Sequence, residues 1–219
     1  DGGGVLAERL KGEPGVALHP LRLGALSCLN PLVVSGLARF FRRSAVDKVI
    51  LCLPRDVKAG GLAARLAGVP DIIYRRGIAV PVRDRLTNRL LLGRVVTKVI
   101  VNSQETRRCL LAGNPGLVPA QRIHLVHCGL DVAAFDARKG RPLVERQPGE
   151  ILVGNAARLT EQKGQRLLIE AAALLRDHLP GLRVLIAGTG ELGGELKALA
   201  DTMGVQDRVR FLGFVSDMR

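Results

Sequence analysis

The sequence predicts an α/β protein built on parallel sheets, and three observations predict it. Near-continuous apolar runs of strand length, such as residues 48–53 and 183–187, alternate with amphipathic stretches of helix length. That is the pattern of strands buried on both faces beneath helices. Of the 219 residues 47% are hydrophobic and the mean hydropathy is +0.18, ample apolar material for a packed core. Finally, residues 136–150 turn polar, with Arg138, Lys139, Gly140, Arg141, Pro142, Pro148 and Gly149, and separate two such alternations as a linker would. The expected organisation is a first domain over 1–137, a linker over 138–150 and a second domain over 151–219.

In the first domain, residues 48–53 read as a buried strand, 59–67 as a helix and 71–74 as the next strand. A basic amphipathic helix over about 83–92 follows, then a strand over 98–101. Ser103 carries a short side-chain oxygen where a helix running to Leu111 needs an N-cap. Residues 122–126 form the last strand of this half, ending at His127, Cys128 and Gly129. In the second domain, strands over 151–154, 183–187 and 209–212 alternate with helices over 165–177 and 192–203. Sheets of this kind bind ligands beyond the carboxyl ends of their strands.

The longest apolar run, residues 24–41, is broken by Asn30, Pro31, Ser35 and Arg39 and does not read as a membrane span. The start, Asp1, Gly2, Gly3 and Gly4, lacks the basic and apolar regions of a signal peptide, so a cytoplasmic location is expected. Cys28, Cys52, Cys109 and Cys128 are scattered without metal or redox spacing and are expected to be reduced.

Net charge is +13, from 33 Lys and Arg against 20 Asp and Glu. The excess is concentrated: residues 39–108 hold 16 basic and 5 acidic residues, hence +11, whereas residues 151–219 hold 9 and 8, hence +1. A basic first domain suits anionic lipid, a phosphorylated acceptor or simply a solvated surface. Phe40 and Phe41 beside Arg42 and Arg43 would supply an apolar wedge for peripheral contact with an anionic membrane. No nucleic-acid partner is expected, because aromatic residues are only 3% of the chain, with no Trp and one Tyr, and stacking platforms are scarce.

The most informative stretch is residues 154–164, Gly-Asn-Ala-Ala-Arg-Leu-Thr-Glu-Gln-Lys-Gly, which leaves a strand and enters a helix. Arg158 and Lys163 read either as a diphosphate clamp together with helix N-terminal amides or as part of an ordinary solvated loop, and the surrounding sequence favours the clamp. Around it the sequence resembles glycosyltransferase family 4. The resemblance is carried by Arg158, Lys163 and Gly164, by residues 185–190, and by the run Asp207, Arg208, Val209, Arg210, Phe211, Leu212, Gly213. In the first half, residues 99–103 with Glu105 and Thr106, and the strand-end turn over 127–135, are similar to the same family.

The resemblance implies a GT-B fold: two Rossmann-like domains with parallel sheets, both incomplete here, the sugar nucleotide held by the second and the acceptor by the first. It implies a retaining transfer of a hexosyl group from a nucleotide-sugar donor to a glycan or lipid-linked acceptor of the cell envelope, with no cofactor and no metal. Arg158 and Lys163 are the implied catalytic pair, stabilising the departing diphosphate. Gly188 and Gly190 match the turn near the nucleotide, and Phe214 and Val215 the segment against the base. Gly3 and Gly4 match the glycine-rich loop of the first domain or are an ordinary chain terminus. Where many members have a His after the strand over 71–74, this sequence has Arg75, Arg76 and Gly77. Arg76 is then a contact to the sugar or a phosphorylated acceptor, or a surface arginine. His127 reads as a strand-end structural residue. The family's paired glutamates fall after Arg219, and the 219 residues alone are expected to be an inactive fragment.

Gly188, Gly190 and Gly193 also satisfy a dinucleotide-binding fingerprint. That fingerprint belongs to the first strand of its domain, and no acidic residue ends the next strand, where Gly213 and Phe214 stand. An oxidoreductase is therefore disfavoured. The alternatives to a transferase are a noncatalytic basic nucleotide- or polyanion-binding module and a GT-B nucleotide-sugar epimerase, with starch and glycogen synthases sharing the same architecture.

Overall fold

The computed structural model describes residues 5–21, 23, 24, 26–137, 140 and 142–217. The chain divides into two compact units, Asp1–Gly129 and Leu130–Arg219. The first contains α1 (Val5–Leu10), α2 (Pro31–Arg43), β1 (Lys48–Leu51), α3 (Pro54–Asp56), α4 (Leu62–Ala67), β2 (Asp71–Arg76), α5 (Leu86–Leu90), β3 (Lys98–Val101), α6 (Gln104–Leu111) and β4 (Ile123–Leu125). The second contains α7 (Val132–Ala137), β5 (Ile151–Ala156), α8 (Gln165–Leu174), β6 (Leu182–Ala187), α9 (Gly193–Thr202) and β7 (Val209–Gly213).

Every strand pairing is parallel, in the orders β1-β2-β3-β4 and β5-β6-β7. Ile72, Val99, Val101 and Leu110 are fully buried in the first core, and Ile169, Ile186 and Val205 in the second. Hydrophobic runs of that kind need cover on both faces of a sheet, and helices supply it.

Two strands run further than the hydrophobic pattern indicates. β2 continues to Arg76 because its neighbour continues, pairing Arg75 with Ile100 and Arg76 with Val101. β5 likewise extends to Ala156 opposite Ala187. The helix expected from Ala59 begins earlier, at Pro54, through α3 and a π turn over Val57–Gly61 that leads into α4. Glycine at 60 and 61 lets that turn lie on β1, since a Cβ at Gly60 would come 3.0 Å from Leu51 Cδ2.

α2 occupies the broken apolar run. Asn30 caps it, its Oδ1 accepting from Leu32 N at 3.0 Å, with Pro31 in the first turn. Val34, Leu37, Ala38 and Phe41 recur at helical spacing and pack inward with Ala63. Of the two rings expected to form a wedge, Phe41 belongs to the packing of the first unit. Phe41 packs against both core clusters of the first unit, and Phe40 meets His19 edge-on with ring centroids 4.9 Å apart. Phe41 is thus turned inward and Phe40 is half-buried, while Arg42 and Arg43 are exposed. Among the described residues no helix is long and apolar enough to cross a membrane.

Candidate functional site

In the second unit the three strand ends are stitched together by their loops. Ala157 N donates to Ala187 O at 3.0 Å, Leu159 N to Thr189 O at 3.0 Å, Leu192 N to Leu159 O at 3.2 Å and Gly188 N to Gly213 O at 2.6 Å. The loop after β5 therefore lies directly on the loop after β6. Glycine is required for that approach. Gly188 has φ +137°, and a Cβ there would stand 1.9 Å from Ala157 O; a Cβ at Gly190 would stand 2.3 Å from Leu159 O. Both obstacles are backbone atoms, so no rotamer change relieves them. Gly193, the third residue of the fingerprint, meets only ordinary contact with Leu159 Cδ1 at 3.5 Å.

Leu159, 4% exposed, anchors the loop in the core of this unit. Gln165, the first residue of α8, locks it from the other side. Only 1% exposed, it donates from Nε2 to Arg158 O at 3.0 Å and to Asn155 Oδ1 at 3.3 Å. Its Oε1 and the hydroxyl of Thr160 are buried without a partner among the described residues. Gly164, at φ +67°, turns the chain into α8, whose N-terminus has no side-chain cap. Its first amides are therefore available to an anion.

On this loop Arg158 and Lys163 are both exposed, and neither head group has a hydrogen bond or ion pair among the described residues. Two exposed cations on the loop that leads into an uncapped helix start are an arrangement able to hold an anion. Phe214, 67% exposed, and the half-buried Val215 follow Gly213, whose carbonyl accepts from Gly188. Arg158, Lys163, Gly188, Gly190, Phe214 and Val215 thus all stand at the carboxyl end of one sheet. Gln165, Asn155 and Thr160 escaped sequence reasoning, because a buried glutamine at a helix start looks like any polar first-turn residue. Gly164 immediately before it was the only local signal.

In the first unit Arg76 ends β2 and is 9% exposed, which excludes a surface arginine. His127 follows β4 and is exposed, its Nδ1 lying 3.2 Å from Asn102 O. Gly3 and Gly4 lie outside the described residues.

Residues 138–219 match the family of glycosyl transferases group 1. The matched residues contain the whole stitched site of the second unit. Among curated relatives, the chain is 36% identical over 99 residues to a D-inositol 3-phosphate glycosyltransferase of Mycobacterium sp. (strain KMS), covering 42% of this chain and 22% of that protein. It is 32% identical over 96 residues to the amylovoran biosynthesis glycosyltransferase AmsK of Erwinia amylovora, covering 44% and 23%. Among solved structures, Anabaena Alr3699/HepE in complex with UDP is similar with TM-score 0.64 and 20% identity, over 89% of this chain and 54% of that one. A glycosyltransferase from Rickettsia africae ESF-5 is similar with TM-score 0.70 and 17% identity, over 99% and 59%. The chain spans less than two thirds of each of these proteins. Their common fold is GT-B, and the chain has the parallel α/β architecture of part of it.

Proposed function

We propose that the chain is the donor-binding and part of the acceptor-binding portion of a retaining glycosyltransferase of family 4. It moves a hexosyl group from a nucleotide sugar to a glycan or lipid-linked acceptor of the cell envelope. The observation that carries this reading is the pair of unpartnered cations, Arg158 and Lys163, on a loop held by Gln165 and by contact with Gly188 and Gly190. The family match and the names of the relatives support a transferase, and the name of AmsK, an amylovoran biosynthesis glycosyltransferase, supports a role in building a glycan.

As the bond from the sugar to its diphosphate breaks, negative charge collects on the leaving oxygens. The Arg158 guanidinium and Lys163 ammonium donate to those oxygens, and their charge takes the part that a metal ion plays elsewhere. Because the loop is already fixed, little reorganisation opposes this stabilisation. Gly188 and Gly190 keep the backbone low beside the nucleotide, and Phe214 with Val215 offers an apolar surface for the base. Catalysis is proposed to occur in the cytoplasm, with the basic first unit facing the membrane surface.

Calorimetric titration of UDP, GDP and ADP, with and without a chelator, tests the reading. We expect one nucleotide to bind without added metal. Arg158→Ala and Lys163→Ala should each weaken it by about 1.5 to 3 kcal/mol, the range for a hydrogen bond to a charged group. Unchanged affinity in both variants would remove the clamp.

A further inference from the structure

The geometry points to a phosphate-binding acceptor subsite in the first unit, formed around the buried guanidinium of Arg76. This inference rests on the transferase reading for the word acceptor, although the anion site itself does not.

A cavity of about 550 Å³ opens at the carboxyl ends of β1 and β2. Among the described residues its wall carries four cations, Lys58, Arg76, Arg83 and Arg85, and no Asp or Glu. Arg76 is the unusual member. β2 places Ile72, Tyr74 and Arg76 on one buried row, so the period of the strand carries a charge into a position otherwise apolar. Its Nη1 donates to Tyr74 Oη at 3.3 Å and its Nη2 donates to the carbonyl of Val80. Its Nε is buried with no partner, and no carboxylate within 4.0 Å pairs with it among the described residues. A buried cation without a counter-ion is unfavourable unless something supplies one.

The nearby acidic residue does not supply it. Asp84, between Arg83 and Arg85 in sequence, is engaged by Arg89 at 2.6 and 2.7 Å and by Asn114 at 3.2 Å. Arg83 and Arg85 are thereby left exposed and unpaired, and Lys58 likewise has no ion pair. A group with more than one negative charge and several acceptor oxygens fits four such donors, and phosphate is that group. Apolar Val57 and Leu92 below and Thr87 at the wall leave room for the sugar, polyol or lipid that carries it.

The test uses the 219-residue chain with Arg158→Ala and Lys163→Ala already introduced, so that the donor loop takes no phosphate. Glucose 1-phosphate is titrated in solution and farnesyl diphosphate in neutral detergent micelles. Binding of the first alone assigns a soluble phosphorylated acceptor, and binding of the second alone a lipid-linked one. In either case Arg76→Gln should weaken binding about tenfold or more. The double variant Arg83→Ala/Arg85→Ala, confined to exposed positions, should weaken it about fivefold and decides the matter should Arg76→Gln fail to melt cooperatively. UDP titrated into chains with the native donor loop reads the donor site separately, and its affinity should not depend on Arg76. Failure of UDP, GDP and ADP alike to bind while the phosphate probes do would sink the donor reading and leave this site standing. The proposal is overturned by absence of binding of both probes, or by binding indifferent to the Arg76 and Arg83/Arg85 variants.

Discussion

Replacing Gly188 by alanine should cost far more than a methyl group ordinarily does. The new Cβ would lie 1.9 Å from Ala157 O and 2.9 Å from Ala157 C, at a backbone with φ +137°. A non-glycine residue in such a conformation costs about 1–3 kcal/mol. Forcing an atom into filled space adds about 1–3 kcal/mol. Separation of the two loops also weakens the bonds Ala157 N to Ala187 O and Leu159 N to Thr189 O, each worth about 1 kcal/mol net. With both bonds lost the sum is about 4–8 kcal/mol, a large part of the roughly 5–15 kcal/mol that holds a domain folded. Gly36→Ala is the matched control. It lies in α2 with nothing within 4 Å of the added carbon, and should stabilise by about 0.5–1 kcal/mol through the entropy of the unfolded chain. Hydrogen exchange resolves the two units, reading β5 and β6 for one variant and α2 for the other. Protection in β5 and β6 should drop by the amount worked out above, and the nucleotide affinity of the Arg158 loop should drop with it. Wild-type protection and affinity in Gly188→Ala would refute the claim that this glycine exists to let the loops touch.

Ser103→Ala should destabilise the first unit by about 0.5–2 kcal/mol, because Ser103 Oγ accepts from Thr106 N at 3.0 Å as the N-cap of α6. Fluorescence of Tyr74, the one tyrosine, reports the melt, and an unchanged midpoint would deny the cap a role. The first unit should also lose stability in acid. Hydrogen bonds from Arg89 and then Asn114 hold Asp84 at about 2, and those from Arg108 and then Cys109 hold Glu105 at about 2. Both values lie below the usual 3.8 and 4.5, so these contributions are complete above about pH 4.5 and vanish as pH falls toward 2. Denaturant midpoints measured between pH 5 and 2 should fall along that limb, and Asp84→Asn should flatten it; an identical slope in the variant would discard the assignment.

What the sequence determined by itself is whatever depends on neighbours along the chain. The strand at 98–101, the cap at Ser103, the parallel α/β class and the strand-to-helix loop bearing Arg158 and Lys163 follow from periods of about 2 and 3.6 residues and from cap and turn chemistry. The first unit's excess of cations was equally plain. What only the tertiary structure decided depends on residues far apart in the chain. Arg76 became a buried group because β3 extends β2 by two residues beyond the apolar pattern. Gly188 and Gly190 became packing requirements because the backbone at 157 and 159 lies against them. Gln165 became the lock of the loop because strand β5 brings Asn155 within its reach. Phe41, adjacent to arginines in sequence, turned inward once α2 had a partner to cover in Ala63. Hydrophobic periodicity reports which face of an element is buried, but identical side chains at a strand end or in a loop acquire opposite roles according to what another segment places beside them.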